Sequence, residues 1–402
     1  MMVTKVSTDF DCNAISVWRW LCSLHLRQGF EKIHGKIHRK IQNRNCLNRH
    51  PTRAYTQAKY ERHASDTRAD RHSKNPVLPF PYRLHLRTVE CAGVTLTCEA
   101  ILHHAFLPNL CEVDIRVADD HIDIKSSAHI PFPALRCLSL NCESMTTAIE
   151  FVKSMIHSVL LMLFTVRIED PPSSAQLGRM FSLLSAQSSF VHLTDIHFCH
   201  PEFIDDQEDF LPLLDAQDFE PLLMFTHMES IDIETQCSIA NFNDELLKAM
   251  AMSRPNLRRL CLTNGWGESF PSRCTLRGIL HLGQHCPNLL FLRITFQASA
   301  EICWNGRPGG GVVNEYMETL EVVRSPIADP RAVASFLSDV FPRLTSIDAW
   351  DNFNPDDLTE VEYQKRWQEA IQLYHVFVGI RNEERRWAAS VATSTNYLQH
   401  NI

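Results

Sequence analysis

Across its 402 residues the chain has no Gly-x-Ser-x-Gly elbow, no phosphate loop ending in Gly-Lys-Ser/Thr, no Gly-x-Gly-x-x-Gly and no His-Glu-x-x-His. Those absences remove the recognised nucleophile, nucleotide and zinc-protease arrangements. The glycine triple Gly309–Gly311 lacks the lysine and helix start that a phosphate would need. No Cys-x-x-Cys pair occurs among the 14 cysteines, so neither a zinc knuckle nor a thioredoxin-like motif is expected. The first 15 residues lack a charged-then-apolar run with a cleavage site. The thiols are therefore read as reduced, in the cytoplasm or nucleus. Long apolar runs are missing too. Val159–Ile168, the most apolar stretch, is about half of what a membrane span requires.

What is there is one short apolar pattern that keeps returning. Apolar residues at positions one, four and six recur as Leu110-Val113-Ile115, Leu135-Leu138-Leu140, Leu163-Val166-Ile168, Leu193-Ile196-Phe198 and Met228-Ile231-Ile233. The series continues as Leu257-Leu260-Leu262, Leu289-Leu292-Ile294, Met317-Leu320-Val322 and Leu344-Ile347-Ala349. Intervals of 25 to 35 residues with such a core are the signature of leucine-rich repeats. One such unit cannot bury its apolar face alone, so the units must stack. The expected fold is α/β: an irregular leucine-rich-repeat-like solenoid over residues 77–350, with parallel strands on the concave side and helices outside.

Within each unit a strand is followed by a polar turn, an amphipathic helix and a short return. Leu84 and Leu86 suggest an irregular first strand, and Leu96 to Phe106 a first helix. Before Leu289 the stripe Leu276, Ile279, Leu280 and Leu282 marks a helix with Gly283 near its end. The longest interval holds Asp205, Asp206, Glu208, Asp209, Asp215 and Asp218, read as an acidic surface loop, and Asn305–Gly311 is read as a flexible excursion. Asn354-Pro355-Asp356 reads as the start of a capping helix region over residues 351–387, with Val361, Trp367, Ile371, Tyr374 and Val378 covering the last repeat. Residues 388–402 are read as a disordered tail.

The net charge of −8 conceals an asymmetry: residues 1–75 carry 15 basic against 6 acidic side chains, the remainder 24 against 41. Residues 1–76 are read as a basic, largely disordered arm with one amphipathic helix, Ile15 to Ile41, and a polar linker over 49–76. The helix is read as solvated; a membrane surface, a partner groove or the acidic body are its alternatives.

Strand alternation makes a surface prediction. Positions three, five and seven should line the concave face, and those 27 sites hold Glu112, Asp114, Arg116, Arg167, Glu169, Asp195, Asp232, Glu234, Arg259, Arg293, Glu321 and Asp348. About 44% are charged against 21% for the chain, acids outnumbering bases eight to four, and Phe291 and Trp350 add aromatic anchors. Such a face favours a basic protein segment. Specific nucleic-acid binding is disfavoured by the acidic body. Two histidine clusters have metal-like composition, namely His281, His285, Cys274 and Cys286, and His197, Cys199 and His200. Alternation lets only two ligands converge in the second, and Cys286 reads as core packing in the first. No metal, cofactor or catalytic residue is expected.

From about Phe132 onward the chain resembles the leucine-rich-repeat-like F-box proteins abundant in mushroom-forming fungi. The resemblance covers roughly two thirds of the chain. It is carried by Thr275-Leu-Arg-Gly-Ile-Leu-His-Leu-Gly-Gln-His-Cys-Pro-Asn-Leu289, by Met317-Glu-Thr-Leu-Glu-Val-Val-Arg-Ser-Pro-Ile-Ala-Asp-Pro330, by Val333–Pro342, and by Trp350 and Trp367. It implies a substrate receptor of a cullin-type (SCF) ubiquitin ligase, with an N-terminal F-box holding the adaptor and the repeats holding the substrate. The Leu-Pro-x-Glu lead-in of an F-box does not occur in residues 1–75. A repeat scaffold with no ligase connection is the alternative.

Overall fold

A computed structural model describes residues 86–119, 131–155, 160–186, 192–200, 213–235, 237–239, 241–263, 272–298, 306–350 and 356–399. The chain divides into two compact units, Met1–Ser7 with His85–Ile402 and Thr8–Leu84, and the described residues all belong to the first. The basic arm with its helix, the linker, Asp205, Asp206, Glu208, Asp209, Asn305, Asn354 and Pro355 lie outside the described residues.

Ten strands form one all-parallel sheet in which neighbours in space are neighbours in sequence. They are β1 (Thr88–Leu96), β2 (Glu112–Val117), β3 (Cys137–Cys142), β4 (Leu163–Ile168), β5 (Asp195–Cys199), β6 (Ser230–Glu234), β7 (Arg259–Thr263), β8 (Phe291–Ile294), β9 (Thr319–Val323) and β10 (Ser346–Ala349). The described helices are α1 (Cys98–Ala105), α2 (Met145–Met155), α3 (Ser174–Ala186), α4 (Ala216–Phe219), α5 (Asp244–Ser253), α6 (Leu276–His285), α7 (Pro330–Val340) and α8 (Leu358–Gln399). A short 3-10 turn, Glu220–Met224, follows α4. The architecture is α/β.

The repeated apolar pattern is what registers the strands. Leu138, Phe164, Ile196, Ile231, Leu260, Leu292, Leu320 and Ile347 stand opposite one another in succession, as do Leu140, Val166, Phe198, Ile233, Leu262 and Ile294. All but Ile347 are buried. β10 has a strand neighbour on one side only, which leaves Ile347 and Ala349 half-exposed.

Two positions differ from the sequence reading. The β4 unit uses Leu161, Phe164 and Val166 rather than Leu163, Val166 and Ile168, because Leu163 pairs with Cys137. A slip of two residues keeps every side chain on its expected face and moves only the row. The first strand is a tenth unit, Leu86-Val89-Cys91, all buried, and the helix expected from Leu96 begins at Cys98 behind the cap Thr97.

Close packing of helix on helix explains the glycines of α6. A Cβ on Gly283 would lie 2.8 Å from Val340 of α7, so this glycine is a packing position, and Cys286 is the C-cap instead. A Cβ on Gly278 would meet the Asp244 carboxylate at 2.6 Å. That carboxylate accepts from the backbone amides of Thr275 and Gly278 and from the Thr275 hydroxyl, so the start of α6 is held by α5. Between β8 and β9 the described residues contain no helix. Buried Asn314 takes its place, donating to the Cys286 carbonyl and accepting from the amides of Tyr316 and Met317.

The sheet ends under α8, whose first turn is capped by Asp357. Trp367, Ala370 and Tyr374 are buried; Val361, Ile371 and Val378 are half-buried. The Trp350 and Trp367 indoles both donate to the Ser325 carbonyl, and the Tyr374 hydroxyl bridges Phe341 and Leu344. The helix does not stop at the expected boundary of 387 but continues to Gln399. Arg385-Arg386-Trp387-Ala388-Ala389 offers no glycine or proline to end it. Among the described residues, no helix is long and apolar enough to cross a membrane.

Candidate functional site: a charged ladder on the open sheet face

Residues between the buried positions of each strand point away from the core, and in-register pairing stacks them into rows. One row runs Asp114, Ser139, Thr165, His197, Asp232, Cys261, Arg293, Glu321 and Asp348. The row before it holds Glu112, Asp195, Arg259 and Phe291, and the row after it Arg116, Arg167 and Glu234. Thirteen of the fourteen residues named from sequence, Glu112, Asp114, Arg116, Arg167, Glu169, Asp195, Asp232, Glu234, Arg259, Phe291, Arg293, Glu321 and Asp348, are exposed or half-exposed.

Trp350 is the exception. It is only 5% exposed, takes a left-handed φ of 56°, donates to Ser325 and packs against Tyr363. The pairing between β9 and β10 shifts by one residue at Ala349, which breaks the alternation that would have turned this indole outward. It is a core residue.

The ladder falls into two clusters. In the first, Arg116 meets Glu169 at 2.7 Å, and Arg167 reaches Ser139 at 2.7 Å and Asp114 at 3.8 Å. Asn141 also donates to Asp114 at 2.9 Å. In the second, Arg259 pairs with Asp232 at 3.1 Å while its guanidinium stacks 3.8 Å above Phe291. Arg293 lies between Glu234 at 2.7 Å and Glu321 at 3.2 Å, and His197 lies 3.7 Å from Asp232. Half-exposed pairs of this kind contribute about 0–1 kcal/mol each, so the ladder shapes a surface more than it holds the fold. Glu112, Asp195 and Asp348 accept hydroxyl hydrogen bonds from Thr88, Thr194 and Ser346 and have no cationic partner among the described residues.

The site's electrostatics follow from this pairing. Burial pushes the Asp232 carboxyl up, but the nearby His197 and Arg259 outweigh it and hold the group below the usual carboxylate range. Glu321 is raised by burial, against Arg293, with Asp348 adding to the rise. Cys261, fully buried at the floor of the ladder, donates to Glu234, and burial and the two neighbouring acids raise its thiol well above the ordinary value. A nucleophilic thiol needs the reverse surroundings. Asp232, Glu234 and Cys261 offer three ligand atoms within 4.8 Å of one another. Arg259 and Arg293 already hold both carboxylates, and the donor set keeps its thiol proton, so this group fits guanidinium pairing better than metal binding.

Sequence reasoning missed His197 and Cys261 as ladder members, although position five of the repeat marks both. The His197, Cys199 and His200 cluster does not assemble, because His200 is buried with Nε2 on the Glu169 carbonyl. No protein-family model and no curated protein matches the chain.

Proposed function

We propose that the protein is a non-catalytic recognition scaffold, an irregular leucine-rich-repeat-like solenoid whose open strand face takes a basic segment of a protein partner. The observation that carries this reading is the ladder: eight carboxylates and four guanidiniums on one face, with Glu112, Asp195 and Asp348 lacking a cationic partner among the described residues. A partner supplying Lys or Arg at those three places completes the pattern the face begins. The sequential order of ten parallel strands and their shared apolar register support the solenoid reading.

The test is binding of a fluorescent Lys/Arg-rich peptide and a Glu/Asp-rich peptide of equal length to the whole chain. The basic peptide is expected to bind more tightly, the more so at low salt, and the triple substitution Glu112→Lys, Asp195→Lys, Asp348→Lys should lower its association rate at least about tenfold. Equal binding of both peptides, or no effect of the substitutions, overturns the reading.

We further propose, on the resemblance alone, that the scaffold serves as the substrate receptor of a cullin-type ubiquitin ligase. The alternative reading is a leucine-rich-repeat interaction protein with no ligase role. Co-purification separates them, since an adaptor–cullin pair recovered with the chain supports the first and other stable partners without that pair support the second.

A further inference from the structure

Helix α6 places His281 and His285 one turn apart, both half-exposed, with ring centroids 6.1 Å apart and planes inclined by 20°. The cysteines beside them in sequence turn inward. Cys286 is fully buried, its thiol directed at the Ala251 and Arg254 carbonyls, and Cys274 is fully buried at the start of the helix. The four-ligand arrangement that the sequence invites therefore does not form. Two imidazoles on one helix face remain.

We propose that His281 and His285 form a two-histidine chelate for a divalent late transition-metal ion of the Cu²⁺, Ni²⁺ and Zn²⁺ class. The site lies on a helix, not on the strand ladder, and stands or falls independently of the recognition role. An imidazole nitrogen binds such an ion at about 2.0–2.1 Å. Two nitrogens sharing one ion then bring the ring centroids to roughly 5–6 Å. The observed separation of 6.1 Å is just above that range.

The surroundings define what kind of site this is. Nδ1 of His281 is enclosed and makes no hydrogen bond among the described residues, which leaves Nε2 for the ion. Without an acceptor behind the ring the site is weaker than a supported one by about 10–100-fold. Burial, Lys248 of α5 and His285 lower the His281 pKa and favour the neutral ring, while Asp244 and Glu245 of α5 work in the opposite sense and favour a cation. Neutral imidazole is the ligand form, so the ring is available near neutral pH. Two protein ligands leave the other coordination positions to water or to an incoming donor.

The experiment titrates the full chain with Cu²⁺, Ni²⁺ and Zn²⁺ separately, by calorimetry in a non-coordinating buffer, and follows amide exchange across α6. The arm carries His34 and His38 at the same spacing, so the readout is the difference between chains rather than the total bound. The double variant His281→Gln, His285→Gln is expected to bind one ion fewer, and either single variant to bind at that site at least about tenfold more weakly. Cu²⁺ should bind most tightly, and the affinity should fall as acid protonates His281, whose lowered pKa keeps the ligand form to lower pH than a free imidazole. Metal should slow amide exchange over Leu276–His285 in the parent chain and not in the double variant. Equal stoichiometry and affinity in both chains, or α6 exchange that ignores the metal, overturns the proposal. Both side chains are half-exposed, so the variants are expected to fold.

Discussion

Asp232 shows how a single carboxyl on the ladder ties pH to stability. Its folded pKa lies below its ordinary value, because the opposing burial effect is outweighed by His197 and Arg259. A depressed acid contributes stability above its unfolded pKa and loses that contribution as pH falls through the folded one. The difference in thermal midpoint between the parent chain and Asp232→Asn is therefore expected to be full near neutrality and to close below about pH 4. A difference that stays constant down to about pH 3 would remove the ion pair as its source. The thiols behave as core residues in a comparable way. Burial pushes Cys142, Cys237 and Cys286 up to about 12. At pH 8 such a thiol is thiolate in roughly one molecule in ten thousand. Maleimide treatment of the folded chain, read by peptide mass spectrometry, is expected to leave these three unmodified while half-exposed Cys98 and Cys111 react.

Elements are joined by contacts that only particular residues permit. At Gly278, replacement by alanine would gain about 1 kcal/mol of intrinsic helix preference. The new methyl group would meet the Asp244 carboxylate at 2.6 Å and the Cys274 sulfur at 2.9 Å. Overpacking costs about 1–3 kcal/mol, and displacing Asp244 also uncaps α6. Gly278→Ala is therefore expected to destabilise the chain in urea unfolding, against its helix propensity. Asp339 plays a similar joining role between α7, α8 and the glycine loop. Fully buried, it accepts from Arg307 at 2.7 Å and from the Gly309 amide at 2.9 Å, with Arg381 of α8 at 3.6 Å. Removing it by Asp339→Ala should cost about 3 kcal/mol, the lower end of the range for breaking a buried pair, since Arg307 is half in solvent.

In the described unit, each strand packs chiefly on the strands next to it in sequence, so stability is expected to be transmitted locally. Trp367 is the sharpest probe, because it is fully buried under the last strands and meets Phe296 edge-on. Trp367→Ala should cost about 3–5 kcal/mol at that end. Amide exchange is expected to quicken most in β8–β10 and α7 and least in β2–β4. Uniform quickening along all ten strands would mean a single cooperative core instead.

The apolar residues of the repeat were legible in the sequence because burial of one strand face demands a period of two, and that demand does not depend on neighbours. The α/β class and all but one of the proposed ladder residues followed from it. Tertiary structure decided the rest. It set the row of the β4 unit, since a two-residue slip leaves the pattern looking the same. It turned Trp350 inward through a one-residue shift against β9. It also converted an acid-rich list into a ladder of specific pairs, with Arg293 bound to carboxylates on β6 and β9 that lie far from it in sequence. Periodicity is a property of one segment and can be read from it; pairing belongs to two segments and exists only once they meet.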